Sequence, residues 1–243
     1  MPLSERLQAV ARLITPGLRV ADVGCDHGYL AIHLIKNHIS PHVIAMDVGC
    51  GPLERAMKHV QEAGLAPDIE IRLSDGLNEL KEDEADCIVL AGMGGPLMID
   101  ILSRGEDICD EIHELILQPQ SEIDKVRRYL EENQYRIISE DIVLEDGKFY
   151  PMMKAIHGNM KLEREVYYRF GKILLHEEHP VLRAYLRNER RQLHEIRNEL
   201  LDSPRTERVE ERLKEIASDI ATVDEAILMS DKINPVTIER VIK

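Results

Sequence analysis

The sequence predicts an α/β protein: a largely parallel sheet with an antiparallel edge, followed by a separate antiparallel coiled-coil hairpin of helices. Three observations carry this prediction. Short apolar runs alternate with amphipathic stretches over residues 1–157, the pattern of successive βαβ units. Two later strand-like runs flank an Asp-Gly turn, which favours a β-hairpin. Beyond Gly158 and Asn159 the apolar residues fall into heptad-like spacing.

The apolar runs at 18–23, 43–46, 69–73, 87–91 and 115–117 read as the parallel strands. Helical patterns lie between them, as in Leu30, Ile32, Leu34 and Ile35 and over 52–63. Residues 136–144 and 148–157 flank Glu145-Asp146-Gly147 and form the expected antiparallel edge. Leu182, Leu186, Glu189, Leu193, Ile196 and Leu200 make one stripe, in which only Glu189 is polar. Past the turn Asp202-Ser203-Pro204, a second stripe runs through Val209, Leu213, Ile216, Ile220, Val223 and Ile227. The chain therefore divides into residues 1–158 and 159–243.

Composition sets limits on function. With 44% hydrophobic and 31% charged residues, 243 residues suit a globular domain with an appendage. No apolar run approaches the roughly 20 residues of a membrane span, and Met1–Arg6 shows no secretory pattern, so no membrane association is expected. Cys25, Cys50, Cys87 and Cys109 form no CxxC pair and are expected as free thiols in the cytoplasm. No cluster has metal-ligand spacing. The net charge of −14 argues against a nucleic-acid-coated surface. The charge is uneven: residues 1–159 carry 15 Lys and Arg against 28 Asp and Glu, and residues 160–243 carry 16 against 17. A polyanion should meet the second part first.

The stretch Val20-Ala-Asp-Val-Gly-Cys-Asp-His-Gly-Tyr-Leu30 leaves a strand through Gly24 and Gly28 into a helix. Such a turn presents backbone N–H groups to a ligand. It is a poor dinucleotide fingerprint, because Asp26 stands where the second glycine belongs and would repel a pyrophosphate. A nucleoside with a cationic end escapes that clash. Asp47 ends the second run, where it can accept from ribose hydroxyls, and Asp75 follows the third, where it can accept from an adenine amino group. Each is also an ordinary N-cap or turn former taken alone; together at strand ends they favour a nucleoside pocket. Ala91-Gly-Met-Gly-Gly95 offers bare backbone after the fourth run.

The segments DVGCDHGYL, AMDV, LSDGL, IVLAGMGG and LILQPQ resemble the signature loops of a bacterial tRNA (adenine(22)-N1)-methyltransferase family, in order over residues 3–157. The resemblance implies a Rossmann-like class I methyltransferase sheet, S-adenosylmethionine as cofactor and tRNA as partner. On it, Asp22, Gly24 and Gly28 line the methionine end, held also by Asp26 and His27. Asp47 and Val48 take the ribose, Ser74, Asp75 and Gly76 the adenine, and Gly92 and Met93 close over the sulfonium. The C-terminal hairpin is typical of the same family.

Many amino-directed methyltransferases carry an Asn/Asp-Pro-Pro-aromatic motif after the fourth strand; here the place reads AGMGG, so the target adenine needs other contacts. Tyr29 is the candidate stacking platform, Asp26 the candidate electrostatic partner, and Gln118 or Gln120 the candidate edge readers. Tyr29 can equally be packing and the glutamines a polar turn. Arg6 either pairs with the methionine carboxylate or, the favoured reading, lies on an exposed helix face. Arg183, Arg187, Arg190, Arg191 and Arg197 flank the first helical stripe, and Arg183, Arg187 and Arg190 share a line that can follow phosphates. Salt bridges to Glu207, Glu210, Glu211 or Glu215 are the competing use. A monomer or weak homodimer is expected. A methyltransferase of a small molecule or protein and a nucleoside-sensing module with a partner-binding arm stand as alternatives.

Overall fold

The computed structural model describes residues 3–177 and 179–232. Helix α1 (Glu5–Leu13) precedes β1 (Val20–Val23), α2 (Tyr29–Lys36), β2 (Val43–Asp47), α3 (Cys50–Glu62), β3 (Ile69–Leu73) and β4 (Cys87–Met93). There follow α4 (Gly95–Arg104), α5 (Glu106–Cys109), β5 (Glu114–Pro119), α6 (Ile123–Glu132), β6 (Tyr135–Glu145) and β7 (Lys148–His157). The sheet order is β3-β2-β1-β4-β5-β7-β6. Its first five strands are parallel, and β7 pairs antiparallel with β5 and β6. The order reverses between β1 and β4, and ligands of open α/β sheets bind at the carboxyl ends of strands flanking such a switch.

Both faces of the sheet are covered, which is why the strands read as apolar runs without alternation. Val20, Val43 and Ala45 face α1, α2 and α3 together with Val10, Leu34 and Val60. Their neighbours Ala21, Ile44 and Met46 face the opposite layer with Met98, Leu102, Val126 and Leu130.

Helix α1 is fastened to the sheet. Ser4 caps it by accepting from the Leu7 amide at 3.2 Å. At its far end Glu114 accepts from the Thr15 amide (2.8 Å) and hydroxyl (2.7 Å) and pairs with Lys154 at 2.6 Å. Arg12 reaches Asp141 at 3.5 Å. These contacts fix which way Arg6 points.

Beneath the β6–β7 edge lies a buried ion pair. Arg127 Nη2 and Nε donate to Glu140 Oε1 at 2.7 and 3.0 Å, and each side chain is 1% exposed. Removing one partner takes a charge-assisted contact from a charge held away from water. Glu140→Ala is therefore expected to cost about 3–5 kcal/mol, read as a lowered denaturation midpoint with an unchanged slope.

The chain divides into two compact units, through Lys161 and from Leu162 onward, three residues beyond the boundary expected from sequence. The second holds α7 (Glu165–Phe170), α8 (Lys172–His176), α9 (Leu182–Leu201) and α10 (Glu207–Lys232). Helices α9 and α10 run antiparallel: Arg183 donates to the Ser230 carbonyl at 3.1 Å and Arg190 pairs with Asp224 at 2.6 Å. Leu182, Leu186, Ile216, Ile220, Val223 and Ala226 are buried, whereas Ile196, toward the turn, is 39% exposed. The apolar seam is thus tight where α9 begins and opens toward the turn.

Candidate functional site

Strand β1 ends in Asp22-Val23, and the chain then turns through Gly24, Asp26 and Gly28, all with positive φ (79°, 48° and 70°), into α2. Gly24 needs its missing side chain, because a Cβ there would lie 2.3 Å from Met93 Cε. Gly28 brings α2 against α3: its Cβ would stand 3.1 Å from that of Ala56. The loop, the end of β4 and α1 enclose a cavity of about 260 Å³, whose walls include Arg6, Asp22, Gly24, Asp26, Tyr29 and Gln120. His27, Gly92 and Met93 also line it.

Asp22 is the unusual group. It is 4% exposed, and its Oδ2 has no hydrogen-bond partner among the described residues. Burial, reinforced by the Asp47 charge and opposed by Arg6, pushes its carboxyl up to about 7. A buried carboxylate oxygen without a donor, on the wall of a cavity, calls for a cation.

Asp47 serves the loop itself: its Oδ2 accepts from the Asp26 amide at 3.2 Å and its Oδ1 from the Gly49 amide at 2.9 Å. The Asp26 carboxylate stands 3.4 Å from both Arg55 Nη2 and His27 Nε2 at the cavity mouth. The rings of His27, Tyr29 and His59 form a compact cluster, with centroids 5.5 Å (His27–Tyr29), 4.9 Å (Tyr29–His59) and 5.9 Å (His27–His59) apart. His59 Nδ1 lies 3.0 Å from the His27 carbonyl, which ties the His59 ring to the glycine loop.

At the end of β3, the Ser74 amide donates to the Asp47 carbonyl at 3.0 Å, so this loop abuts the first. The Ser74 hydroxyl is buried and bonded to the Gly76 carbonyl at 2.8 Å. Asp75 receives Arg104 at 3.1 and 3.3 Å, and the Val48 side chain is 70% exposed. These residues and Asp47 lie outside the lining of the cavity; Val48 and Asp75 are exposed, whereas Ser74 and Gly76 are buried.

Two expectations are corrected. Arg6 does not lie on an exposed helix face: it lines the cavity and donates to Gln118 Oε1 at 2.8 Å, with its guanidinium 5.7 Å from the Tyr150 ring centre. It stands four and seven residues before the buried Val10 and Leu13, so helical spacing already placed it inward. Gln118 does not face the cavity as an edge reader. It is fully buried, with its oxygen on Arg6 and its amide nitrogen 3.3 Å from the Pro119 carbonyl. Gln120, whose amide donates to the Met93 carbonyl at 2.8 Å, occupies the wall instead.

In the second unit the arginines divide. Arg183 and Arg190 are engaged with α10, the latter through Asp224 rather than any of the four glutamates expected. Arg191 bonds Glu195 and Asn188 of its own helix, both at 2.9 Å. Arg187 is exposed. Arg197 keeps a buried Nε without a partner among the described residues.

Compared with known families, residues 20–225 match the sequence model of TrmK, the tRNA (adenine(22)-N(1))-methyltransferase. The chain belongs to this family. The TrmK-family relative from Bacillus subtilis, a tRNA (adenine(22)-N(1))-methyltransferase, is 34% identical over 93% of this chain and 98% of its own. A Streptococcus pneumoniae structure solved in complex with S-adenosyl-L-methionine superposes with a TM-score of 0.85 at 32% identity, covering 93% of this chain and 100% of the other. The M. capricolum TrmK structure, in complex with S-adenosyl-homocysteine, gives 0.80 at 26%, covering 93% and 98%. Both fall in the range expected of a shared TrmK fold over both units.

Proposed function

We propose that this protein transfers a methyl group from S-adenosylmethionine to N1 of adenosine 22 in tRNA. The observation that carries the cofactor assignment is the Asp22 Oδ2, without a hydrogen-bond partner among the described residues, on the wall of a cavity lined by the bare backbone of Gly24 and Gly92. That donor-hungry carboxylate fits the ammonium of the methionine end. Arg6, held by Gln118 on the same wall, suits its carboxylate.

S-adenosylmethionine supplies an electrophilic methyl on a sulfonium. The carboxylates of Asp22 and Asp26 favour this cation where they would disfavour a pyrophosphate. Asp47 orients the glycine loop through the Asp26 amide and keeps lone pairs for ribose hydroxyls. Asp75 and Gly76 take the adenine, with Ser74 bracing the turn through the Gly76 carbonyl and Val48 exposed beside the ribose site. Gly92 and Met93 sit beside the reacting centre.

Adenine N1 carries its own lone pair at neutral pH, so the protein need not remove a proton before attack. Its task is alignment, worth up to ~7–11 kcal/mol of barrier, together with charge. Tyr29 supplies a face for the target base and Asp26 a negative charge near the base as it becomes cationic. Gln120 replaces Gln118 as the candidate reader of the base edge.

The test is transfer of labelled methyl to unmodified tRNA followed by nucleoside analysis. Label in N1-methyladenosine is expected; saturable cofactor binding with no label in any tRNA overturns the assignment. Among the C-terminal residues, Arg187 is best placed to grip phosphate, with Arg183, Arg190 and Arg191 flanking it. Activity is expected to fall as salt rises from 50 to 200 mM, and Arg187→Ala to raise KM for tRNA without changing cofactor affinity. Activity indifferent to salt contradicts the phosphate grip. No helix among the described residues is long and apolar enough to cross a membrane; an enzyme of tRNA with four unpaired cysteines is expected in the cytoplasm, as a monomer or weak homodimer.

A further inference from the structure

A second cavity, of about 310 Å³, lies on the outer side of α2 and α3 and is lined by Leu3, Ile32 and Ala63 and by the polar groups of Tyr29, His33, Lys36, Asn37, His59 and Glu62. Its volume is at the lower end of the roughly 300–1,000 Å³ typical of ligand sites. Tyr29 is the one residue that lines both this cavity and the one holding Asp22. The rings of His27, Tyr29 and His59 cluster where the two cavities meet: His27 lines the first, His59 the second and Tyr29 both, with the histidine centroids 5.9 Å apart. Aromatic rings lining a cavity next to the methyl-transfer site offer surfaces on which a base can stack.

The polar groups of this cavity are unevenly committed. Glu62 is paired with Lys58 at 3.9 Å, and Asn37 is bonded to the His33 carbonyl at 2.8 Å. Lys36 is exposed and has no ion pair among the described residues. It stands at the C-terminal end of α2, within an acidic part of the chain, and lines the same cavity as Tyr29 and His59. An aromatic ring and an uncommitted ammonium in one cavity suit one nucleotide, base on ring and phosphate on cation.

We infer that this second cavity holds a nucleotide of the tRNA neighbouring the target adenosine, its base stacked on His59 and its phosphate against Lys36. The inference rests on the tRNA methyltransferase reading and extends it to a site outside the reacting centre. It explains how an acidic domain can keep the target base unstacked: the neighbour finds a substitute stacking partner as the target leaves, which offsets the cost of extrusion.

Steady-state methylation of unmodified tRNA tests this with Lys36→Ala, Lys36→Arg, His59→Ala and His59→Phe, alongside cofactor Kd and melting temperature. His59→Ala is expected to raise KM for tRNA about tenfold, and His59→Phe, which keeps a face, to restore most of it. Lys36→Ala is expected to raise KM severalfold and to lower the salt slope by about one, with Lys36→Arg close to the parent. Cofactor Kd should not move. Unchanged KM in both alanine variants, or equal loss in His59→Ala and His59→Phe, overturns the second site while leaving the methyltransferase reading intact. A parent protein that binds cofactor but methylates no tRNA overturns both.

Discussion

Replacing Asp22 by Asn is expected to weaken S-adenosylmethionine binding at pH 8 about ten- to hundredfold, the factor for a lost charge-assisted hydrogen bond. The fold should survive, because the amide has the same shape and removes a buried carboxylate whose Oδ2 has no donor among the described residues. Stability and binding then respond to pH in opposite directions. In the ligand-free protein the Asp22 carboxyl is raised to about 7, whereas in the unfolded chain it ionises near ~3.9. The folded state binds more protons between these values, so its stability falls as pH rises through that window and levels off above 7. Cofactor binding needs the ionised form, so affinity should rise with pH up to about 7 and then flatten. Isothermal titration from pH 6 to 8 reads this slope. Asp22→Asn should abolish it, and should melt at or above the parent temperature at pH 8. A variant that binds normally at pH 8 contradicts the role given to Asp22.

Gly24→Ala is expected to lower cofactor affinity by at least about tenfold, from two separate causes. The backbone at φ 79° is costly for any residue with a Cβ, of order 1–3 kcal/mol. The new methyl would also sit 2.3 Å from Met93 Cε. Met93 ends in a flexible thioether and can swing aside, but it lines the same cavity, so its displacement narrows the space for ligand. Gly24→Ala/Met93→Ala should recover only the steric part. Complete recovery in the double variant would contradict the backbone argument.

The fold was legible because burial on both faces of the sheet leaves an unmistakable signature of five apolar runs, and because Asp146-Gly147 announces its hairpin. The acidic loop ends were legible for a related reason: strand ends are where chain polarity must change, and Asp22, Asp26, Asp47 and Asp75 stand at three of them. Arg6 and Gln118 were misread in opposite senses. Each is a polar residue amid apolar neighbours, and which of the two would reach the cavity depends on how α1 is pinned to Glu114 and Asp141, residues far along the chain. The ring cluster was invisible for the same reason. His59 lies on α3, and it meets Tyr29 because Gly28 brings α2 so near α3 that a Cβ on it would stand 3.1 Å from that of Ala56. The arginines of α9 show the converse limit. Periodicity placed them beside the seam, but the choice between Asp224 and a phosphate for Arg190 is made by register between two helices.

Primer extension on an unmodified tRNA transcript, before and after incubation with the protein and S-adenosylmethionine, is the most direct measurement. A methyl on N1 blocks the Watson–Crick edge, so reverse transcription should halt next to adenosine 22 and nowhere new, and the halt should vanish in a transcript with that base replaced. Readthrough at position 22, or a new halt elsewhere, would contradict methyl transfer to that atom.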